Sequence, residues 1–421
     1  MMKVNIGKGE KLIAQRKSVA NQSVAGVWSF VSASLRPFGT TIFTEMTALA
    51  TRYGAINLGQ GFPDFEGPPG VVEAAVAAIQ SGENQYSRSM GHEVLVGAIA
   101  EHQLRFYGLD YDPAVEITVF CGATEGLASS MLGLLNSGDE VILFQPFYDS
   151  YPACAAMAGA VPRFVTLRAP DYLIDPEELE AAFSERTRLL VLNTPHNPTG
   201  KVFSRCELDM IARFCQERDV IVLSDEVYEH LTYGSFEHIP IATLPGMRER
   251  TLTLSSTGKT FSMTGWKIGW GIGPAELVSA AQAAHQYITF CASTPLQMAM
   301  GHALRIYTDN YLAALKREYT ERRDFLMKAL SDCGFKVVEP HGAYFIVADF
   351  SALGDGDDQS FARYLVERCK VAAVPMSVFY HPGSTAGCHL LRFAFCKRLE
   401  TLHAAATRLY EARLTEHPPE S

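Results

Sequence analysis

The stretch TLTLSSTGKTFSMTGWKIGW, residues 251–270, decides the fold. Its opening run, Thr251 to Leu254, is apolar and of β type, and it empties into a polar loop that carries Lys259. In an α/β sheet the loops leaving the carboxyl ends of the strands form the ligand crevice, so Lys259 is expected over a pocket rather than in bulk water. Ser256 stands three residues before it and Lys267 eight residues after it. One amine suits covalent chemistry with a carbonyl, while one hydroxyl and one ammonium suit a phosphate. A nucleotide cradle of the form G-x-x-x-x-G-K-T fails, because its first glycine would have to be Thr253, inside the strand. A lone G-K-T also fits a solvated loop lysine; the company it keeps decides.

Working outward, residues 113 to 305 repeat one pattern of apolar strand, polar loop and helix: EITVFCG, DEVILFQP, RLLVLNTP, DVIVLSDEVY, TLTLSSTGK. These runs are rich in β-branched and aliphatic residues without clean alternation, as strands buried on both faces of a parallel sheet are. TIFTEMTALATRYG (41–54) reads as a helix stopped by Gly54, and the Gly- and Pro-rich INLGQGFPDFEGPPG after it as a loop. After residue 305 a long charged helix precedes FKVVEPHGAYFIVADF, VAAVPMSVF and HLLRFAFCK, the texture of a smaller α+β lobe. The predicted organisation is an arm at 1–35, a small discontinuous domain of 36–60 and 306–412, a large domain at 61–305, and a tail at 413–421.

A chain of 421 residues, 48% apolar and 19% charged, can bury a large core. Its net charge of -10 argues against nucleic acid or an anionic membrane as the main partner. Nine scattered cysteines without C-x-x-C, and twelve histidines without close ligand spacing, point to reduced thiols, a cytoplasmic setting and no metal site. The polar, basic N-terminal stretch lacks the apolar core of a secretory signal, and no run reaches the length of a membrane span.

The strand ends supply the chemistry. DVIVLSDEVY delivers Asp225 and Tyr228; a buried aspartate suits a protonated pyridine nitrogen, or caps a helix. Asn197, in a turn stiffened by Pro195 and Pro198, can donate to a phenolate oxygen or simply serve the turn. Gly122, Ala123 and Thr124 form a strand-to-helix turn that could admit a phosphate to backbone N–H groups. Phe147 could stack on a flat ring or be plain core. Arg392, alone among apolar residues, asks for a carboxylate held by its fork or for a salt bridge. Together these groups converge on pyridoxal 5′-phosphate.

The motifs NPTG (197–200), SDEVY (224–228) and SSTGKTFSMTGWK (255–267), with INLGQGFPDF, NQYSR, PFYDSY, VPMSVFY and RFAFCK, resemble the class I/II aminotransferases over residues 36–412. The resemblance is nearest to the group of kynurenine, glutamine K and methionine aminotransferases. It implies a fold type I architecture, with a mostly parallel seven-stranded sheet flanked by helices. It also implies a homodimer with shared sites and ping-pong transamination through a Schiff base. By position, Lys259 would form that Schiff base, Asp225 would meet the pyridine nitrogen, and Asn197 and Tyr228 the ring oxygen. Ala123, Thr124, Ser256 and Lys267 would hold the phosphate, joined by Tyr86 from a second subunit. Phe147 would stack on the ring, and Arg392 with the backbone of Gly61 would take the substrate carboxylate. Phe43, Phe290, Tyr344 and Phe379 are expected near the substrate side chain, favouring neutral or aromatic donors. Lys267, where aspartate-type relatives have arginine, Ala123-Thr124 and Cys291 depart from some relatives. The alternative on the same scaffold is a carbon–sulfur β-lyase.

Overall fold

The computed structural model describes residues 30–414; the greater part of the expected arm, and the tail from residue 415, lie outside them. Residues up to Gly39 form one unit, whose described part is a run of bends and turns, and the chain from Thr40 forms the other. Everything below concerns the second unit.

Among the described residues thirteen strands make three sheets. The two-residue β1 (Ile56–Asn57) pairs in parallel with β11 (Val371–Ala372). Seven strands form the central sheet: β2 (Ile117–Phe120), β3 (Glu140–Gln145), β4 (Val161–Thr166), β5 (Thr187–Asn193), β6 (Ile221–Asp225), β7 (Thr251–Ser256) and β8 (Gly269–Ile272). Their order is β2-β8-β7-β6-β5-β3-β4. β3 to β7 pair in parallel, while β8 runs against both β7 and β2, so β2 points the same way as β7. The carboxyl ends of six strands therefore share one edge, where the topology puts a crevice. β9 (Lys336–Val338), β10 (Phe345–Asp349), β12 (Val374–Pro375) and β13 (Leu390–Ala394) form an antiparallel sheet ordered β12-β13-β10-β9.

The apolar runs become strands because helices cover both faces. β2, β3 and β8 are buried at every position, as are all but one residue of β5, β6 and β7. Two core clusters flank the central sheet, one through Ile142, Leu190 and Val222, the other through Leu143, Leu223 and Leu254. Adjacent residues of one strand thus face opposite sides, the period of a pleated strand. The predicted helix at 41–54 is observed as Ile42–Tyr53, with Thr41 accepting from the Thr44 amide and Gly54 closing the end at φ 61°. No helix follows SDEVY, so Asp225 caps none.

Candidate active site

The shared strand edge opens into a cavity of about 250 Å³. Gly122, Ala123, Thr124, Asn197, Asp225, Tyr228, Ser256, Lys259, Lys267, Gly61 and Arg392 all line it, from segments spread over more than 300 residues. Local reasons put each there. β7 ends at Ser256, whose hydroxyl accepts from the Gly258 amide at 3.1 Å and starts the single helical turn Thr257–Thr260 that presents Lys259. β2 ends at Phe120, and Gly122 at φ 81° turns the chain into the helix Ala123–Leu134, whose first amides lack intrahelical acceptors. A Cβ on Gly122 would lie 2.8 Å from Lys267 Cε, so glycine is what lets the ammonium approach that helix end. Lys267 itself adopts the left-handed region, at φ 55°.

Asp225 ends β6 and is buried. Tyr151 Oη donates to its Oδ2 at 2.8 Å, and the Val227 amide makes a long contact of 3.4 Å to Oδ1. Burial pushes its carboxyl up to about 6, above the ordinary 3.8. Burial likewise pulls the Lys259 amine down to about 8. That amine donates to Tyr344 Oη at 3.0 Å, and Tyr344 in turn donates to the Gly61 carbonyl at 2.5 Å. The amine also lies 5.5 Å from the Tyr228 ring centre. Burial raises the Tyr228 phenol, so it stays a donor.

Arg392 sits in the middle of β13, opposite Val347 on one side and Val374 on the other. It is only 1% exposed, yet among the described residues no carboxylate lies within ion-pair distance. Its Nη1 donates to Asn197 Oδ1 at 2.8 Å and Nη2 to the Gly59 carbonyl at 2.9 Å, while Nε has no hydrogen-bond partner. The guanidinium packs over Phe345, Phe379 and Phe43 at 4.1, 4.9 and 5.2 Å from the ring centres. Burial lowers it to about 10, so it remains a cation. A buried charge in this setting needs an anion. The cavity it faces is where one can enter.

Two expected residues fall elsewhere. Phe147 does not line the cavity: it is buried in the core against Phe164, ring centres 5.6 Å apart, and the lining ring is its neighbour Tyr148. Successive residues leaving a strand face opposite sides, and the larger apolar surface went inward. Tyr86 is 81% exposed and stands edge-on to Phe290 at 5.3 Å, away from this chain's cavity. Of the four expected substrate-side aromatics, only Phe43 lines the cavity; Tyr344 touches Lys259, Phe379 backs Arg392, and Phe290 is half exposed.

Sequence reasoning missed Tyr148, Tyr151, Asn193 and Phe345, all of which line the cavity. Asn193 had a visible signal, as the polar end of RLLVLN: its Oδ1 accepts the Asn197 amide and its Nδ2 reaches the Asp225 carbonyl. The others are aromatics, a residue type that sequence alone does not separate from core. Behind the Lys259 turn, His102, Glu229 and His230 bring ligand-type atoms within 4.8 Å, a grouping across 128 residues that spacing cannot reveal. These atoms already have partners. The two Nε2 atoms meet at 2.8 Å, and Ser255 and Tyr107 donate to the Glu229 carboxylate, tying it to β7.

The donor set fits a phosphorylated pyridine aldehyde. A cation and helix-end amides stand at one end, a buried carboxylate without a cationic partner at the other, and an amine between. Comparison with known proteins agrees. The family model for aminotransferase class I and II matches residues 53–409. The solved N-succinyldiaminopimelate aminotransferase of Mycobacterium tuberculosis superposes with a TM-score of 0.88 at 47% identity, covering 91% of this chain and all of that one. Methionine aminotransferase of Escherichia coli is 41% identical over 90% of this chain and 97% of its own length. Mouse kynurenine–oxoglutarate transaminase 3 is 42% identical over 87% of this chain and 86% of its own. With the cavity, the sheet and the matched length in accord, the chain belongs to the class I and II aminotransferases, fold type I enzymes that use pyridoxal phosphate.

Proposed function

We propose that this transaminase takes the amino group of a neutral or aromatic L-amino acid, such as kynurenine, glutamine, methionine or phenylalanine, and passes it to a 2-oxo acid. The observation that carries the reading is the buried, unpaired Arg392 fork facing the same cavity as Lys259 and Asp225. The α-carboxylate satisfies Arg392, and the Gly61 backbone lies beside it. Arg392 is also the one arginine lining the cavity among the described residues; the remaining wall there is Phe43, Tyr148 and Phe345. A donor with a second carboxylate finds no second fork. The names of two relatives, methionine aminotransferase and kynurenine–oxoglutarate transaminase, support this range, whereas that of the N-succinyldiaminopimelate aminotransferase names a donor outside it.

The bound cofactor supplies an electron sink for the substrate's Cα. The protein's own groups do the rest. Asp225 would meet the ring nitrogen, and Asn197 and Tyr228 the ring oxygen; Ala123, Thr124, Ser256 and Lys267 would hold the phosphate, and Tyr148 would cover the ring in place of Phe147. Lys259, with an amine near 8, moves the Cα proton as general base and then acid. Tyr344 keeps that amine in place through its 3.0 Å contact. Phe43 and Phe345 exclude water from the reacting carbon.

The exposed Tyr86 fits a homodimer in which it completes the partner's phosphate site. The three sheets support a division into a large domain at 61–305 and a small one of 36–60 and 306–412. Among the described residues no helix is long and apolar enough to cross a membrane, and a cytoplasmic setting is consistent with nine free cysteines. The deciding experiment is a donor panel read by the cofactor's absorbance without any oxo acid. Rapid conversion with glutamine, methionine, kynurenine or phenylalanine is expected; aspartate as the fastest donor would overturn the donor class.

A further inference from the structure

Asp225 is a buried carboxylate with few donors. The Val227 amide is distant, and Lys259 is near without a direct bond, while Glu226 next to it repels negative charge. Asn193 and the Thr194 amide bond to the Asp225 carbonyl, not to its carboxylate. The one short contact to the carboxylate is Tyr151 Oη, at 2.8 Å from Oδ2. Tyr151 belongs to the first turn of the helix Ser150–Met157, is 3% exposed, and packs edge-on to Tyr148 at 5.7 Å. Its surroundings, Tyr148, Tyr228 and Asp225 itself, offer its phenol no cation, and burial raises it further. The phenol is thus fixed as a neutral donor.

We propose that Tyr151 is a positioning residue for transamination, holding Asp225 as the anion that the cofactor's ring nitrogen meets. The inference rests on the reading of Asp225 given above and goes beyond it by naming what maintains that charge. A hydrogen bond to the charged form stabilises the carboxylate against burial, and it fixes Oδ2 of a residue that lines the cavity. The Asp225 anion would then stabilise a proton carried by the ring nitrogen, and the strength of that pairing would depend on a hydroxyl outside the reacting atoms.

The test compares full-length wild type and Tyr151→Phe, both freed of cofactor, for binding of pyridoxal 5′-phosphate and of its 1-deaza analogue, in which CH replaces the ring nitrogen. Phenylalanine keeps the packed ring and removes only the hydroxyl. Pyridoxal phosphate should bind about tenfold more weakly to the variant, while the deaza analogue changes less than twofold. Equal losses for both compounds would mean that Tyr151 only shapes the cavity, and no loss for either would mean that the hydroxyl is idle; both overturn the proposal. The analogue also reports folding, since a misfolded variant would lose both. A wild type that holds the two compounds equally well would defeat the pairing of Asp225 with the ring nitrogen itself, an outcome distinct from failure at Tyr151.

Discussion

The cavity has two walls built on opposite plans. One comes from the ends of β5, β6 and β7, where Asn193, Asp225 and Ser256 finish their strands and Lys259 follows in a turn. The other comes from the middle of β13, the start of β10 and the segment from Phe43 to Gly61, with Arg392 as its charge. On the first wall burial moves groups toward neutrality, Asp225 up to about 6 and Lys259 down to about 8, which suits the lysine to trading protons near pH 7. On the second, Arg392 stays cationic with a value near 10, boxed in by three rings. The group that must change charge, Lys259, stands in a turn. The group that must keep its charge stands mid-strand, where packing gives it no freedom.

This contrast can be broken most severely at Lys259. Lys259→Ala should cost at least ~10³-fold in turnover, because the proton carrier is gone, while the fold persists. Retention of a tenth of the activity in steady-state assays would refute its role. Asp225 offers the next largest effect, and its sign is specific. With a carboxyl raised from 3.8 to about 6, the cofactor-free protein gains stability from this group below pH 3.8 and loses it as pH rises through 6. The span amounts to about 3 kcal/mol, and Asp225→Asn should flatten that part of the melting-temperature profile. A wild type and variant with parallel profiles would contradict the raised value.

On the second wall, Arg392→Ala should lower kcat/KM for amino acids by about 10- to 150-fold, from loss of a charge-assisted fork. The effect should vanish for primary amines that lack a carboxylate, and persistence with such amines would show that the arginine is structural. The smallest effects separate neighbours. Tyr148→Leu should slow the reaction about tenfold with unchanged stability, whereas Phe147→Leu should cost about 1 kcal/mol of stability with activity within twofold. Chemical denaturation beside activity assays would detect a reversal, which would restore Phe147 as the stacking ring.

How much of this was legible follows the same divide. The first wall could be read because an apolar run followed by a polar loop marks each strand end, and Asp225, Asn197 and Lys259 are polar residues standing out against it. Five strands of the sheet, β2, β3, β5, β6 and β7, were legible for the same reason, while the count of seven came from the resemblance. Arg392 could be picked out as a charge in an apolar strand; of its three aromatic neighbours, Phe43 and Phe379 were expected near the substrate only through the resemblance and Phe345 was missed, since rings in a core look alike in sequence. Phe147 and Tyr148 show the limit: both are aromatic and adjacent, and only the turn after β3 decides which one meets the cavity. His102 and His230 were invisible as a pair because only the fold brings them together.

The unpaired guanidinium of Arg392 has one more consequence. Amino acid and 2-oxo acid carry the same carboxylate, so on the reading proposed above the fork that grips one would grip the other. No catalyst supplies thermodynamic direction, and such a fork would add no binding preference between the two acids. Flux through it is set by the relative supply of the two acids, and an excess of oxo acid occupies the fork and delays the incoming donor. A site built to accept either partner works as an exchanger of nitrogen between pools, and its direction is decided by the metabolism that surrounds it.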